Sequence, residues 1–395
     1  MNKVLIIEDD QIVGTIYRRK FNGEGFEVEL AADGEAGLQA VKTFQPDAVV
    51  LDLMLPKLNG VEVLKHIRAN QTTAALPVVV LSNAYLSNLL RDAHDAGANQ
   101  CLIKASASPK QVVDAIRRAL RGETTSPTET PTPTPTAAEP QTEDTEFIAE
   151  QTFEADLKTA FRNNSAETLS QLRLLLQNFI KAEGEPNRLA ALFALYRIVH
   201  SVTGNAGVAG LNTVSRLSSA LEALLKELYE KPKNITASTT RTTAQTIDFL
   251  GQLFNQTSEV KNHVVSSPKI LVVDDEPISR RAVAYALEKA QIPCSTLDSP
   301  VKALEQLEKQ RFDLIFLDVD MPELTGFDVC TRVRAGTTNK KTPVIFVTGL
   351  TDFESRARST LSGGNDLIAK PFLFMELAVK AITQILRAHS APATN

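Results

Sequence analysis

The chain has 395 residues, enough for two or three domains, with 43% apolar residues and a formal net charge of −5. Its three cysteines, Cys101, Cys294 and Cys330, lie far apart with no CxxC, which speaks against a disulfide framework or a zinc site. The opening run MNKVLIIEDD is too short for a signal peptide, no apolar run is long enough to span a bilayer, and no dense basic stripe matches a phosphate backbone. A cytoplasmic protein without membrane or direct nucleic-acid contacts is therefore expected.

In chain order, the first 121 residues carry four short blocks, KVLIIEDD at 3–10, AVVLDLMLPKLNG at 48–60, LPVVVLSN at 76–83 and GANQCLIK at 97–104. Their apolar runs are short and rich in Val, Ile and Leu, as strands buried on both faces of a parallel sheet are. Longer amphipathic segments separate them, which predicts a doubly wound α/β domain of five βα units. Residues 122–146, GETTSPTETPTPTPTAAEPQTEDTE, are rich in Thr, Pro and Glu and hold no Lys or Arg. They cannot bury enough surface to offset their ordering entropy and are expected to be a disordered linker, with a reach of roughly 25–30 Å.

From 147 to 262 the strand-like runs disappear. Helical stripes run through Leu169, Leu172, Leu176, Phe179 and Ile180, then Leu189, Leu192, Tyr196 and Val199. Two more follow, through Leu217, Leu221, Leu224, Leu225 and Leu228, and through Ile247, Leu250, Leu253 and Phe254. Four such stripes predict a four-helix bundle. Residues 268–388 then repeat the first domain. KILVVDDE, LIFLDVDMPELTG, TPVIFVTG and GGNDLIAK match the four blocks above, each displaced by the interval that separates Asp52 from Asp318.

In such sheets, function collects at the carboxyl ends of the strands. There the first copy places Glu8 and Asp9, Asp52, Ser82 and Lys104, and the second Asp274 and Asp275, Asp318, Thr348 and Lys370. Converging carboxylates repel one another and persist when they hold a hard cation, and few oxygen ligands with room for water suit Mg²⁺. With a hydroxyl and a lysine beside them they make a site for phosphoryl chemistry. The metal offsets charge, one Asp attacks phosphorus, and the hydroxyl and lysine hold phosphoryl oxygens.

Both copies, over 1–121 and 268–388, resemble the receiver domain of two-component response regulators. The resemblance implies a flavodoxin-like (βα)5 fold with Asp52 and Asp318 as phospho-acceptors. It implies Mg²⁺ held by Glu8, Asp9 and Asp52 with the carbonyl of Met54, and by Asp274, Asp275 and Asp318 with that of Asp320. The second copy keeps the family's Pro after the lysine, Pro371, for which a cis bond is expected, whereas the first has Ala105. Cys101 and Leu367 stand where the family often has an aromatic residue.

The stretch YRIVHSVTGNAGVAG at 196–210 contains three glycines, each costing a helix interior roughly 1 kcal/mol against alanine. On a helical wheel His200 borders the apolar stripe, with Gly204 and Gly207 beside it, so the glycines are expected to clear the surface for another protein's backbone. Gly210 is expected to serve the turn into the next helix. HSVTGNAGVAG followed by Leu221-Glu222 resembles the histidine-phosphotransfer (HPt) domain, over about 147–262. That family is a four-helix bundle with an exposed phosphate-carrying histidine, here His200. It often has Lys where this chain has Thr203.

A multidomain receiver–HPt–receiver chain implies a phosphorelay protein that moves phosphoryl groups between aspartate and histidine. A sensor or hybrid histidine kinase, and other receiver or HPt proteins, are the implied partners. No ATP-binding kinase motif or helix-turn-helix element is read, so the chain is expected to be a relay and not an ATP-dependent enzyme. The competing reading is a non-catalytic scaffold or phosphate sink that binds two-component partners. The long first linker favours exchange between the first receiver and His200 within one chain.

Overall fold

A computed structural model describes residues 1–83, 87–105, 107–123, 143–256, 268–349 and 360–390. The linker expected at 122–146 lies mostly outside these residues. The first α/β domain has strands β1 (Lys3–Ile7), β2 (Glu27–Ala31), β3 (Ala48–Asp52), β4 (Val78–Ser82) and β5 (Gln100–Ile103). Its helices are α1 (Gln11–Gly23), α2 (Gly34–Phe44), α3 (Gly60–Ala69), α4 (Ser87–Asp95) and α5 (Pro109–Leu120). All strands are parallel, in the order β2-β1-β3-β4-β5. Val4, Ile6, Val50, Val79 and Leu81 enter one buried cluster, whereas Leu5, Ile7, Val49, Leu51, Val78 and Val80 enter another. This two-residue alternation puts one core on each face of the sheet, which is why β1, β3 and β4 read as continuous apolar runs.

Strand order reverses direction between β1 and β3, and that switch point opens a crevice at the strands' carboxyl ends. Leu51 pairs with Ile7, Asp52 with Leu81, and Ser82 with Ile103, so the residues that follow these strands converge there. The chain after β3 folds back tightly. A Cβ on Gly60 would lie 2.2 Å from the Asp52 carbonyl oxygen, and one on Gly326 2.1 Å from that of Asp318. The glycine shared by LPKLNG and MPELTG is thus dictated by a close backbone approach beside the central aspartate.

The middle segment is an all-α bundle of α6 (Glu143–Lys181), α7 (Glu185–Val208), α8 (Asn212–Glu230) and α9 (Ala237–Gln256). Helix α6 begins inside the segment expected to be linker. Leu172, Phe179, Leu192, Val199, Leu217, Leu221, Leu224, Leu225, Leu228, Ile247 and Leu250 are all buried, as the stripes predict. Ile180 is not: it is 54% exposed, because one residue beyond Phe179 is a 100° turn away from the stripe. Gly210, at φ +68°, follows the end of α7 and lets the Leu211 N–H reach the Ala206 carbonyl at 2.8 Å.

The second α/β domain has β6 (Ile270–Val273), β7 (Cys294–Leu297), β8 (Leu314–Asp318), β9 (Val344–Thr348) and β10 (Asp366–Ala369). Its described helices are α10 (Pro277–Lys289), α11 (Pro300–Lys309), α12 (Gly326–Ala335) and α13 (Phe374–Ser390). The parallel order, β7-β6-β8-β9-β10, repeats the first sheet. Helix α13 packs against both α10 and α9. Its Glu376, buried, accepts hydrogen bonds from Ser238 Oγ (2.5 Å) and Thr242 Oγ1 (2.9 Å) of α9. Arg387 donates to the Gln245 carbonyl at 3.2 Å and stacks over Phe249. Removing this acceptor takes the side-chain partner from Ser238 Oγ and leaves Thr242 Oγ1 only the Ser238 carbonyl at 3.0 Å, so Glu376→Ala should destabilise this part of the protein by about 1–3 kcal/mol, read as a lower urea midpoint. An unchanged midpoint would mean that the α9–α13 contact contributes nothing.

Candidate functional site

At the first crevice, Glu8 and Asp9 follow β1, Asp52 ends β3, Ser82 ends β4 and Lys104 follows β5. Glu8, Asp52, Ser82 and Lys104 are buried. Lys104 Nζ donates to Asp52 Oδ2 (2.7 Å) and to Glu8 Oε1 (2.9 Å). The Met54 N–H donates to Asp52 Oδ1 at 3.1 Å. Ser82 Oγ is buried without a hydrogen-bond partner among the described residues.

Charges held this far from water perturb one another. Burial pushes the Glu8 carboxyl up to about 7, against the pull of Lys104. Asp52 is also pushed up by burial, but Lys104 and His200 more than offset this and hold it below the usual carboxylate range. Burial works against the Lys104 ammonium, yet Asp52 and Glu8 keep it well above its ordinary value.

His200 meets the same carboxylates. Its Nε2 lies 3.2 Å from Asp52 Oδ2 and 3.8 Å from Asp9 Oδ1. It is 6% exposed, not on open surface as the family resemblance implied, because the second half of α7 is covered on the side of the imidazole by the first α/β domain. The glycines explain how. A Cβ on Gly204 would sit 3.2 Å from Val13 Cγ2 and 3.4 Å from Lys104 Cε, and one on Gly207 only 2.6 Å from the Lys104 carbonyl oxygen. A close approach does occur beside these glycines, but from this chain's own Lys104–Ala105 turn and not from another protein, and Gly207 needs the clearance more than Gly204. Thr203 is turned inward, with its hydroxyl on the Val199 carbonyl at 3.0 Å, so the nearby cation is Lys104.

At the second crevice, Lys370 Nζ donates to Asp318 Oδ1 (2.9 Å) and Asp274 Oδ2 (3.0 Å), and Ser279 Oγ donates to Asp274 Oδ2 (2.5 Å). Thr348 is buried at the end of β9, and Asp320 is exposed after β8. Burial raises the Asp318 carboxyl to about 6, with Lys370 opposing and Asp274 assisting. The Lys370–Pro371 bond is cis. Carboxylate oxygens of Asp274, Asp275 and Asp318 lie within 4.8 Å of one another, as do ligand atoms of Glu8, Asp9, Asp52 and His200.

Two segments of this chain, 4–117 and 270–382, match the response regulator receiver domain. The chain belongs to the response regulator receiver family. Between its two receivers, residues 156–256 match the Hpt domain. None of the three matched segments is a kinase domain. A curated relative, response regulator MprA of Mycolicibacterium vanbaalenii, is 36% identical over 122 residues, 31% of this chain and 52% of that protein. DNA-binding response regulator MtrA of Mycolicibacterium paratuberculosis is 32% identical over 127 residues, 32% of this chain and 55% of that protein. The chain thus spans about half the length of the curated relatives it matches. Vibrio cholerae chemotaxis protein CheY4, a solved structure, is 33% identical, with 28% of this chain and 93% of that chain covered at a TM-score of 0.28. No helix among the described residues is long and apolar enough to cross a membrane.

Around receiver 1, sequence reasoning missed a polar ring. Asp10 caps α1 by accepting from Ile12 N and Val13 N, and its other oxygen accepts from Ser201 Oγ and from Asn205 Nδ2 (3.2 Å). Asn83 donates to the Ser219 carbonyl (2.9 Å) and accepts from Ser219 Oγ (2.6 Å). The only sequence signal was the four-residue spacing of Ser201 and Asn205, which puts both on one face of α7.

Proposed function

We propose that this chain relays phosphoryl groups between Asp52 of receiver 1 and His200 of the Hpt domain, with Asp318 of receiver 2 as a second acceptor. A sensor or hybrid histidine kinase, or other receiver and Hpt proteins, would supply or take the phosphate. The observation that carries this reading is the 3.2 Å approach of His200 Nε2 to Asp52 Oδ2 in a buried site.

Transfer breaks the Asp52 O–P bond while the Nε2 lone pair forms the N–P bond, and the bonding pair returns to the carboxylate. Nε2 must be unprotonated, so the ring proton belongs on Nδ1. A phosphoryl group between the two atoms pushes them apart, since attack needs about 3–3.5 Å between nitrogen and phosphorus alone. Ser82 Oγ, buried without a partner among the described residues, would donate to a phosphoryl oxygen. Lys104 offsets charge as it moves between acid and phosphate.

The acids fit a hard divalent cation. They offer close oxygen atoms, and in each receiver one lysine faces several carboxylates whose burial holds Glu8 at about 7 and Asp318 at about 6. Glu8, Asp9, Asp52 and the Met54 carbonyl would hold Mg²⁺ in receiver 1, and Asp274, Asp275, Asp318 and the Asp320 carbonyl in receiver 2. When bound, the ion supplies charge neutralisation for the phosphoryl oxygens.

Labelled acetyl phosphate with Mg²⁺ tests the acceptors, because it phosphorylates carboxylates. Base-labile label should appear on both receivers, fall to one site in Asp52→Ala or Asp318→Ala, and vanish in the double variant. Full labelling after both substitutions would overturn the assignment.

A further inference from the structure

Two receivers compete for one histidine, and the polar ring distinguishes them. We infer that receiver 1 is the intrachain partner of His200, selected by Asn83, Asp10 and the Val13 and Lys104–Ala105 surfaces that receiver 2 does not reproduce. The inference rests on the phosphorelay reading and adds to it the residues that choose the partner.

The repeat gives the comparison position by position. Asn83 exchanges two hydrogen bonds with Ser219, both residues being buried. Its counterpart is Gly349, which has no side chain to donate or accept. Asp10 reaches both the α1 N-terminus and the Ser201–Asn205 pair. Its counterpart Glu276 makes no side-chain cap on α10. Val13, buried against the position of Gly204, is matched by Ser279, whose hydroxyl is committed to Asp274. Ala105, whose Cα would lie 3.3 Å from a Cβ at Gly207, is matched by Pro371, a bulkier ring where α7 packs closest. The acceptor chemistry is duplicated in the two receivers while the surface around it is not, and buried amide and hydroxyl groups left unpaired penalise the wrong partner.

The full chain is charged with labelled acetyl phosphate and Mg²⁺, and acid-labile, base-stable label on His200 is followed over a range of protein dilutions. In the parent and in Asp318→Ala, label should reach His200 at a rate independent of dilution; in Asp52→Ala it should slow on dilution. Asn83→Gly, which installs the residue of receiver 2, and Asn83→Asp, which keeps its size but loses the donor, should each slow the dilution-independent phase by about tenfold or more. Labelling of Asp52 itself should be unchanged. Amide exchange across residues 199–208 should quicken in both variants, a readout that needs no phosphate. Undiminished transfer and unaltered exchange in both Asn83 variants would overturn the inference. A parent protein that labels Asp52 but never His200 would instead overturn the relay reading, while the exchange result would still judge the docking contact.

Discussion

Replacing His200 by Gln should eliminate base-stable phosphate from the chain while both aspartates continue to be labelled by acetyl phosphate. The glutamine amide is close in size to the imidazole and its nitrogen has no available lone pair, so the variant removes the nucleophile and preserves the fill of the buried pocket. Asp52 phosphate should then persist until it hydrolyses, because its nearest acceptor, 3.2 Å from Oδ2 in the parent, is gone. His66, His94, His263 and His389 provide an internal control. Base-stable label surviving in His200→Gln would place the phosphohistidine at one of them and refute the role given to α7.

The second large effect concerns stability. Lys104 is 3% exposed and lies 2.8 Å from Glu8 Oε2 and 2.7 Å from Asp52 Oδ2. Lys104→Ala leaves two buried carboxylates without their cation, a class of change that costs about 3–5 kcal/mol. The loss should depend on pH. Folded Glu8 holds its proton up to about 7 against an ordinary value of 4.5, so between these values the folded state binds more protons than the unfolded one. Stability of metal-free protein contributed through Glu8 therefore falls as pH rises across that window. Asp52, held low, acts in the opposite sense, its contribution being lost as pH falls below its ordinary 3.8. Without the lysine the Glu8 window should extend upward, making urea unfolding in EDTA markedly easier at pH 8 than at pH 6. Mg²⁺ should narrow the difference. Equal stability of variant and parent at pH 8 in EDTA would show that Lys104 does not hold these acids.

Much of this protein was written in short-range pattern. Parallel strands buried on both faces must be short and apolar throughout, so β1, β3 and β4 announced themselves, and the repeated spacing of acid, hydroxyl and lysine carried the two crevices with them. Helical periodicity did the same for the bundle, failing at Ile180 because the stripe is narrower than a run of apolar letters suggests. The glycines after His200 said that something approaches α7, since only a close contact justifies their cost in helix propensity. They could not say what. That the approaching surface is the Lys104–Ala105 turn, that His200 is buried against Asp52, and that Asn83 pairs with Ser219 across 136 residues of chain were decided by the tertiary structure alone. The physical reason is that a local pattern records which face of an element is buried or bare, whereas a reciprocal hydrogen bond between two distant, individually ordinary residues leaves no periodic trace in either one's neighbourhood.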